Sequence, residues 1–191
     1  AGWDMWPGPY GNLGSRKYLI ASCEQSLKRL GLDYVDIFYS HRFDPNTPLE
    51  ETMGALAHLH WQGKAIYIGI SNYPREQTKE AHRILHEMGV PLTIHQPSYS
   101  ILNRWIEDDQ TLDTCGELGV GVIPFSPLAQ GVLSGKYSGK GREGTRADQK
   151  NSSLGARALA PKVLAGVDAL GKIARARKQT MSQLALAWVL R

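Results

Sequence analysis

Polar side chains directly follow four short apolar segments, at His41, at Ser71 and Asn72, at Gln96 and at Ser126. Ser, Asn and Gln offer hydrogen-bond donors and acceptors without charge, which suits a carboxamide ligand that needs both. A histidine can donate a hydrogen bond to a substrate carbonyl oxygen while that oxygen gains negative charge. Each residue alone has a structural explanation, because Ser and Asn also favour turns and helix caps. Four such residues at equivalent positions favour a ligand site, and the ring of Phe125 adds a flat apolar face for stacking.

These residues need elements that bring them together, and the chain alternates helical and strand-like segments. The strand-like segments are apolar without polar alternation, which is typical of strands buried on both faces of a parallel sheet. The predicted strands are Tyr34–Tyr39, Ala65–Ile70, Pro91–His95 and Val120–Phe125.

Capping residues predict where the intervening helices begin and end. Ser15 can cap a first helix that Gly31 ends. The run Thr47-Pro48-Leu49-Glu50 predicts a second helix with a capping box. Pro74 opens a third helix, a short helix is expected near 113–118, and two more are expected over 162–177 and 181–190, the last with Thr180 or Ser182 near its cap. Residues 134–160 are rich in Gly, Ser and basic residues and are expected to form a long loop.

Four parallel strands with intervening helices fit either a doubly wound sheet or part of a (β/α)8 barrel. Both folds bind ligands at the carboxyl ends of their strands, so the polar strand ends matter in either case. A complete barrel takes about 250 residues and eight strands. If the fold is a barrel, we therefore expect this chain to be incomplete.

Composition excludes several classes of protein. With 191 residues, 42% hydrophobic and 21% charged, the chain is typical of a globular domain. It contains no apolar run of about 18 residues, so we expect no membrane span, and it begins without a signal peptide, so we expect a cytoplasmic protein. Cys23 and Cys115 have no metal-ligand spacing and are expected to be buried thiols rather than a disulfide. We expect no metal site.

The net charge of +4 hides an asymmetry along the chain. Residues 1–135 contain 10 basic and 15 acidic residues, whereas residues 136–191 contain 12 basic and 3 acidic residues. A basic surface of this kind either attracts phosphate-bearing ligands or is simply solvated. Nucleic acid is not an expected partner, because the basic residues are not interleaved with aromatic ones.

Four longer stretches resemble the aldo-keto reductase family in order and spacing. They are Leu27–Arg42, Gly69–Asn72, His95–Tyr99 and Pro124–Tyr137. The last is most similar to the branch that includes bacterial reductases and the potassium-channel β-subunits. The resemblance covers essentially the whole chain. It implies an α/β fold, a parallel (β/α)8 TIM barrel of which about strands 4–7 and their helices are present, in a single domain over residues 1–191.

The resemblance also implies a cofactor and a substrate. The cofactor would be NADPH, bound across the strand ends, and the substrate would be a small aldehyde or ketone, with phosphorylated aldehydes among the candidates. His41 matches the family's catalytic histidine. The residues that match cofactor contacts are Ser71, Asn72, Gln96, Phe125, Ser126, Pro127, Leu128, Ala129, Gln130, Lys136 and Arg146. The aromatic residues of an early loop would wall the substrate pocket: Trp3, Trp6 and Tyr10.

In the family a Tyr, assisted by a Lys and an Asp, protonates the substrate, and none of the eight tyrosines here matches that position. We therefore expect the chain to be an internal fragment, inactive alone and poorly folded alone. One alternative is a regulatory NADPH-binding subunit like the channel β-subunits, although His41 argues against it because that branch tends to carry Asn there. Another is an unrelated barrel lyase or isomerase, which would bind no nicotinamide cofactor. A homo-oligomer of the full-length protein is left open.

Overall fold

The computed structural model describes residues 13–137, 145–149, 154 and 156–191. Within them the chain forms two compact units. The first consists of the described residues within Ala1–Pro97 and Trp105–Pro124, and the second of those within Ser98–Arg104 and Phe125–Arg191. Each unit has its own buried core.

The first unit alternates helices and parallel strands. Its helices are α1 (Arg16–Leu30), α2 (Leu49–Trp61), α3 (Arg75–Glu87), α4 (Trp105–Asp108) and α5 (Thr111–Glu117). Its strands are β1 (Val35–Ser40), β2 (Ala65–Ile70), β3 (Leu92–His95) and β4 (Gly121–Val122). The strands pair in the order β1-β2-β3-β4, and every pairing is parallel.

Local chemistry explains the ends of α1. The Ser15 hydroxyl accepts a hydrogen bond from the backbone N–H of Tyr18 at 3.3 Å, which satisfies one of the unpaired N–H groups of the first turn. Gly31 ends the helix in the left-handed conformation at φ 67, which costs glycine little because it has no Cβ. Both predicted ends of this helix are confirmed.

The start of α2 corrects a prediction. Pro48 is the cap residue and no side chain caps the helix, so the predicted Thr47/Glu50 capping box is wrong. The Thr47 hydroxyl instead donates to Asp44 Oδ2 at 2.9 Å. The carboxylate is a charged acceptor, which makes this a strong hydrogen bond that holds the Thr47 side chain at Asp44.

The core of the first unit lies between its helices and the sheet. Leu19 of α1, Met53 and Leu56 of α2, Leu85 of α3 and Ile68 of β2 are all completely buried within one apolar cluster. Gly69 lets the sheet pack closely, because a Cβ there would lie 2.5 Å from the Tyr39 ring and 2.9 Å from Ile94. The two cysteines are free and buried, as predicted.

The second unit contains two 3-10 turns, at Ala129–Ser134 and Ala156–Leu159, and the helices α6 (Pro161–Ala176) and α7 (Met181–Val189). A further short turn covers Arg146–Asp148. Thr180 caps α7 with Gln183 in a reciprocal capping box, so Thr180 is the cap of the two candidates, Thr180 and Ser182, that the sequence offered. Val132, Leu133, Val167 and Ala185 are among the buried residues that form its core.

Candidate functional site

The carboxyl ends of β1, β2 and β3 lie side by side in the first unit. In the parallel ladder Ser40 pairs with Ile70, and Ile70 pairs with His95. Strands that end in register deliver the next residues to the same edge of the sheet. These are the predicted residues His41, Ser71 and Gln96.

Ser71 joins the ends of β2 and β3. Its buried hydroxyl donates to the backbone carbonyl of Gln96 at 2.7 Å and accepts from Asn72 Nδ2 at 3.3 Å. The Gln96 N–H in turn donates to the carbonyl of Ile70 at 2.8 Å. Because its one proton is used within the chain, the Ser71 hydroxyl can only accept a further hydrogen bond from a ligand.

Asn72 and Gln96 present half-buried carboxamides at this edge. The backbone of Asn72 is left-handed at φ 52, a conformation that few residues other than glycine adopt. The side-chain amide of Gln96 makes no hydrogen bond to the described part of the chain. Gln96 therefore has both a donor and an acceptor to offer a ligand.

His41 follows β1 and is exposed at the same edge. Partial desolvation of its ring and the positive charge of Arg42 both lower its pKa below the ordinary value of 6.5. At neutral pH the ring is therefore uncharged and carries a single N–H, which is a hydrogen-bond donor by type. That is the state required of a hydrogen-bond donor to a carbonyl oxygen.

Beneath these residues the structure reveals three buried polar residues that sequence reasoning missed: Ser40, Tyr73 and His95. All three are completely buried and hydrogen-bonded to one another. The signal in the sequence was their position, since each is next to a predicted site residue. A buried polar group needs a partner, so polar residues at the very end of an apolar strand predict a network.

The second unit holds the other group of predicted residues, in the loop that begins at Phe125. The N–H of Tyr99 donates to the carbonyl of Phe125 at 3.3 Å, and a bridge joins Ser98 to Phe125. The Phe125 ring is 39% exposed although the residue is large and apolar. After Phe125 the backbone is left-handed at Ser126, Ala129 and Gln130, with φ of 57, 48 and 57.

Two pockets of about 430 and 540 Å³ open beside this loop. Together they are lined by seven of the predicted cofactor residues, namely Phe125, Ser126, Pro127, Leu128, Ala129, Gln130 and Lys136. Lys136 is exposed and follows Gly135, which has a left-handed backbone at φ 80. The smaller pocket is mostly apolar, with Leu102, Val132 and Val163 in its wall.

Some predicted residues cannot be placed. Trp3, Trp6 and Tyr10 lie outside the described residues. Arg146 starts a short 3-10 turn, and nothing is described of its side chain. The spacing Gly-x-Gly-x-x-Gly occurs once, at 139–144, also outside the described residues. It follows a turn rather than a strand, so it lacks the context of a dinucleotide-binding motif.

No group of three or more His, Cys, Asp or Glu side chains is arranged to hold a metal ion within the described ranges. No helix in the described part of the chain is both long and apolar enough to cross a membrane.

The family model described as "Aldo/keto reductase family" matches residues 3–191. The chain belongs to the aldo/keto reductase family. The stretches that suggested this resemblance include the ends of β1, β2 and β3 and the loop after Phe125, so the family motifs coincide with the edge and the pockets described above.

Curated members of the family support the predicted branch. The chain is 53% identical over 196 residues to an L-glyceraldehyde 3-phosphate reductase of Escherichia coli O157:H7. This alignment covers all of the chain and 56% of that protein. It is 37% identical to a probable voltage-gated potassium channel subunit beta of Arabidopsis thaliana, over 95% of the chain and 56% of that protein. The chain thus spans little more than half the length of these relatives.

Solved structures of aldo/keto reductases and related enzymes share its fold. A glycerol dehydrogenase of Gluconobacter oxydans matches 93% of the chain with a TM-score of 0.76 at 29% identity, and the chain covers 52% of it. A thermostable aldo-keto reductase solved with the inhibitor epalrestat matches 92% with a TM-score of 0.68 at 32% identity, and the chain covers 53% of it. The α/β fold with four parallel strands of an incomplete (β/α)8 barrel is confirmed.

Proposed function

We propose that the protein containing this chain is an oxidoreductase that uses NADPH to reduce small aldehydes or ketones to alcohols, phosphorylated aldehydes among them. The observation that carries this proposal is the pair of pockets in the second unit, which seven of the predicted cofactor residues line. The 53% identity to an L-glyceraldehyde 3-phosphate reductase supports the substrate class. The excess of basic over acidic residues in 136–191 suits an anionic ligand.

In the first unit the residues at the strand ends would hold the nicotinamide. The free carboxamide of Gln96 can donate and accept, which is what a ligand carboxamide needs. Ser71 can accept one further hydrogen bond and fixes the Gln96 backbone, and Asn72 offers a second amide. His41, uncharged at neutral pH, would donate a hydrogen bond to the substrate carbonyl oxygen and orient it. The cofactor, when bound, supplies the hydride.

In the second unit Phe125 would give the nicotinamide an apolar face, and its exposed ring fits that role. Residues 126–130 would line the pyrophosphate, because all of them except Ala129 line the larger pocket and the backbone there is left-handed at Ser126 and Gln130. Lys136, exposed in that pocket, would add a positive charge beside the phosphates or the ribose. Arg146 would add a second positive charge, and Trp3, Trp6 and Tyr10 would wall the substrate.

The proton that completes the reaction would come from a tyrosine outside these 191 residues, since none of the eight present occupies the position that the family uses. We accordingly expect the 191-residue chain alone not to turn over substrate, and we regard it as one part of a single barrel domain. The free, buried thiols of Cys23 and Cys115 suit a reducing cytoplasm.

Titration of the full-length protein with NADPH, followed by cofactor fluorescence, tests the proposal. Lys136→Gln removes the charge from the larger pocket, and we expect the dissociation constant of NADPH to rise about 2- to 5-fold, the modest effect typical of exposed charges. Lys172→Gln is the matched control, because Lys172 is exposed on α6 and lines neither pocket. We expect it to bind NADPH like the wild type.

Turnover of L-glyceraldehyde 3-phosphate and of unphosphorylated glyceraldehyde, followed by loss of NADPH absorbance, tests the reaction. The proposal requires turnover, with a higher kcat/KM for the phosphorylated aldehyde. Tight NADPH binding without turnover of any aldehyde would instead favour a regulatory subunit. No binding of NADPH at all would refute both, and the alternative of an unrelated barrel enzyme is already excluded because the family model matches residues 3–191.

A further inference from the structure

Three completely buried polar residues lie next to the polar strand-end residues in the sequence. They are Ser40, Tyr73 and His95, and their neighbours in the sequence are His41, Asn72 and Gln96 respectively. None of the three buried residues can touch a ligand directly. Each can, however, fix the backbone from which an exposed neighbour projects.

Hydrogen bonds connect these residues across three strand ends. Ser40 Oγ at the end of β1 lies 2.8 Å from the Tyr73 hydroxyl. The backbone N–H of Tyr73, two residues after Ser71, donates to Nε2 of His95 at 3.2 Å. The chain of bonds therefore runs from β1 through the turn after β2 to the last residue of β3. We call Ser40, Tyr73 and His95 the buried brace.

The Tyr73 N–H is the central bond of the buried brace. It belongs to the peptide that follows Asn72, whose backbone is left-handed at φ 52. A non-glycine residue held in this conformation stores strain, which the surrounding contacts must offset. The acceptor on His95 satisfies a buried N–H that would otherwise be costly to leave unpaired. Losing that acceptor frees the peptide that orients the Asn72 carboxamide.

The protonation state of His95 follows from the same geometry. Because Nε2 accepts a backbone N–H, the proton of the neutral ring is on Nδ1, which lies 3.6 Å from Cys115 Sγ. Burial lowers the pKa of His95 to about 4 and raises the pKa of Cys115 to about 11. A thiolate–imidazolium pair is thus excluded at neutral pH, so these two residues form no nucleophile. Their geometry suits holding the backbone instead.

We propose that the buried brace of Ser40, Tyr73 and His95 positions the strand-end carboxamides and thereby sets how tightly the nicotinamide end of the cofactor is held. This inference rests on the proposed function, since it assumes that Asn72 and Gln96 meet the nicotinamide. The three residues are positioning residues. Their effect is confined to the nicotinamide end, because they are bonded to the strand ends of the first unit.

Two substitutions and a rescue variant test the buried brace in the full-length protein. His95→Leu removes the acceptor at similar volume, whereas His95→Gln keeps an acceptor near the position of Nε2. Tyr73→Phe removes only the hydroxyl. The Ser40 hydroxyl can still donate a hydrogen bond to the backbone carbonyl of Arg42, which lies 3.4 Å away. Two matched controls remove buried groups elsewhere in the first unit: Tyr18→Phe on α1 and Leu56→Val on α2.

The first readout is hydrogen exchange at the Tyr73 amide, which needs no cofactor. The second is the dissociation constant of NADPH compared with that of 2′-phospho-ADP-ribose, which lacks the nicotinamide. We expect His95→Leu to speed exchange and to weaken NADPH about 3- to 10-fold, the effect of one buried hydrogen bond, while binding of the ribose fragment is unchanged. His95→Gln should bring both the exchange rate of the Tyr73 amide and the dissociation constant of NADPH most of the way back to the wild-type values. The two control variants should change neither quantity.

The outcomes separate the two proposals. If the wild type binds no NADPH, the proposed function fails and the role of the buried brace fails with it. If the wild type binds NADPH but His95→Leu and Tyr73→Phe bind it equally well, only the buried brace is overturned. Equal losses for NADPH and for the ribose fragment would also overturn it, because they would indicate a general structural defect. Should His95→Leu not fold, Tyr73→Phe carries the same comparison with a smaller expected loss.

Discussion

Replacing His95 with Gln should remove a large part of the pH dependence of folding between pH 6.5 and pH 4. In the folded protein, burial opposes protonation of the His95 ring and lowers its pKa to about 4, although the charge of Asp109 partly offsets this. In the unfolded chain the ring takes a proton near pH 6.5. Between these two values the unfolded state therefore binds more protons than the folded state does.

The sign and size of the effect follow from proton linkage. Stability rises with pH wherever the unfolded state binds more protons, so the full contribution is present above pH 6.5 and is lost as the pH falls towards 4. The difference between 6.5 and about 4 corresponds to a loss of about 3 kcal/mol in the free energy of unfolding. Gln cannot take a proton, so His95→Gln should lack this loss.

Urea unfolding of the wild type and of His95→Gln at several pH values between 7.5 and 4 measures the effect. We expect the wild type to lose about 3 kcal/mol more than the variant over this range. His86→Gln, at an exposed position on α3, separates the loss of any imidazole from the loss of the buried one. If the free energy of unfolding falls with pH in the same way for the wild type and for His95→Gln, the assignment of His95 as a buried neutral base is refuted.

Asp44 should affect the stability of the fold at lower pH values than His95 does. Burial opposes its ionisation, but hydrogen bonds from the backbone of Asn46 and Gly14 and from the Thr47 hydroxyl outweigh this and lower its pKa below 3.8. Its contribution to stability is therefore complete above pH 3.8 and is lost only below that value. Unfolding curves measured below pH 4 as well would therefore distinguish Asp44 from His95, whose contribution is lost between pH 6.5 and pH 4.

Two further substitutions test the local packing and backbone. Gly14→Ala should destabilise the protein by about 1–3 kcal/mol in calorimetry, because the new Cβ would lie 2.8 Å from Asp44 Cβ and 3.0 Å from Thr52 Oγ1. An unchanged or raised melting temperature would contradict this. An alanine at Gly116, an open position within α5, should instead raise the melting temperature slightly. Ala129→Gly should stabilise the protein by about 1 kcal/mol in urea unfolding, because Ala129 has a left-handed backbone at φ 48; a loss of stability would contradict this.

Local rules explain why most of the first unit could be predicted. Ser15 caps α1 with its own side chain, and Gly31 ends the helix because it has no side chain. No distant residue was therefore needed to predict where α1 begins and ends. The strands β1, β2 and β3 are mostly apolar, and each lies within or beside the range predicted for it. Thr47 shows the limit of such rules, because its hydroxyl donates to Asp44 three residues earlier and Pro48 is the cap residue instead.

The fourth strand shows where sequence patterns stop being informative. The run 120–125 is as apolar as the others, yet only Gly121 and Val122 pair with β3. Strand length is set by the partner as well as by propensity, and β3 itself has only four residues, Leu92–His95. Phe125 instead bridges Ser98 within the second unit. Neither the short partner nor that bridge can be read from residue types alone.

The candidate site was predictable in its exposed half and not in its buried half. A polar residue after an apolar strand is a visible signal, which is why His41 and Gln96 could be named. A buried histidine such as His95 gives the same signal whether it is a packed core residue or a support for its neighbours. Only the distance from its Nε2 to the Tyr73 amide distinguishes these roles.

Backbone strain links the two groups of predicted residues independently of their side chains. Six non-glycine residues in the described ranges have positive φ, and four of them are predicted cofactor residues: Asn72, Ser126, Ala129 and Gln130. Glycine would adopt this conformation without the strain that a Cβ brings, so fold stability alone gives no reason for side chains at these positions. Strain of this kind concentrates at ligand sites, where a fixed backbone presents groups in a set direction. Ala129 tests whether a side chain at a strained position serves the fold or the ligand, because its methyl group cannot form a hydrogen bond to either. If Ala129→Gly stabilises the fold but weakens NADPH binding, then the Ala129 methyl serves the ligand, either by lining the smaller pocket or by restricting the backbone.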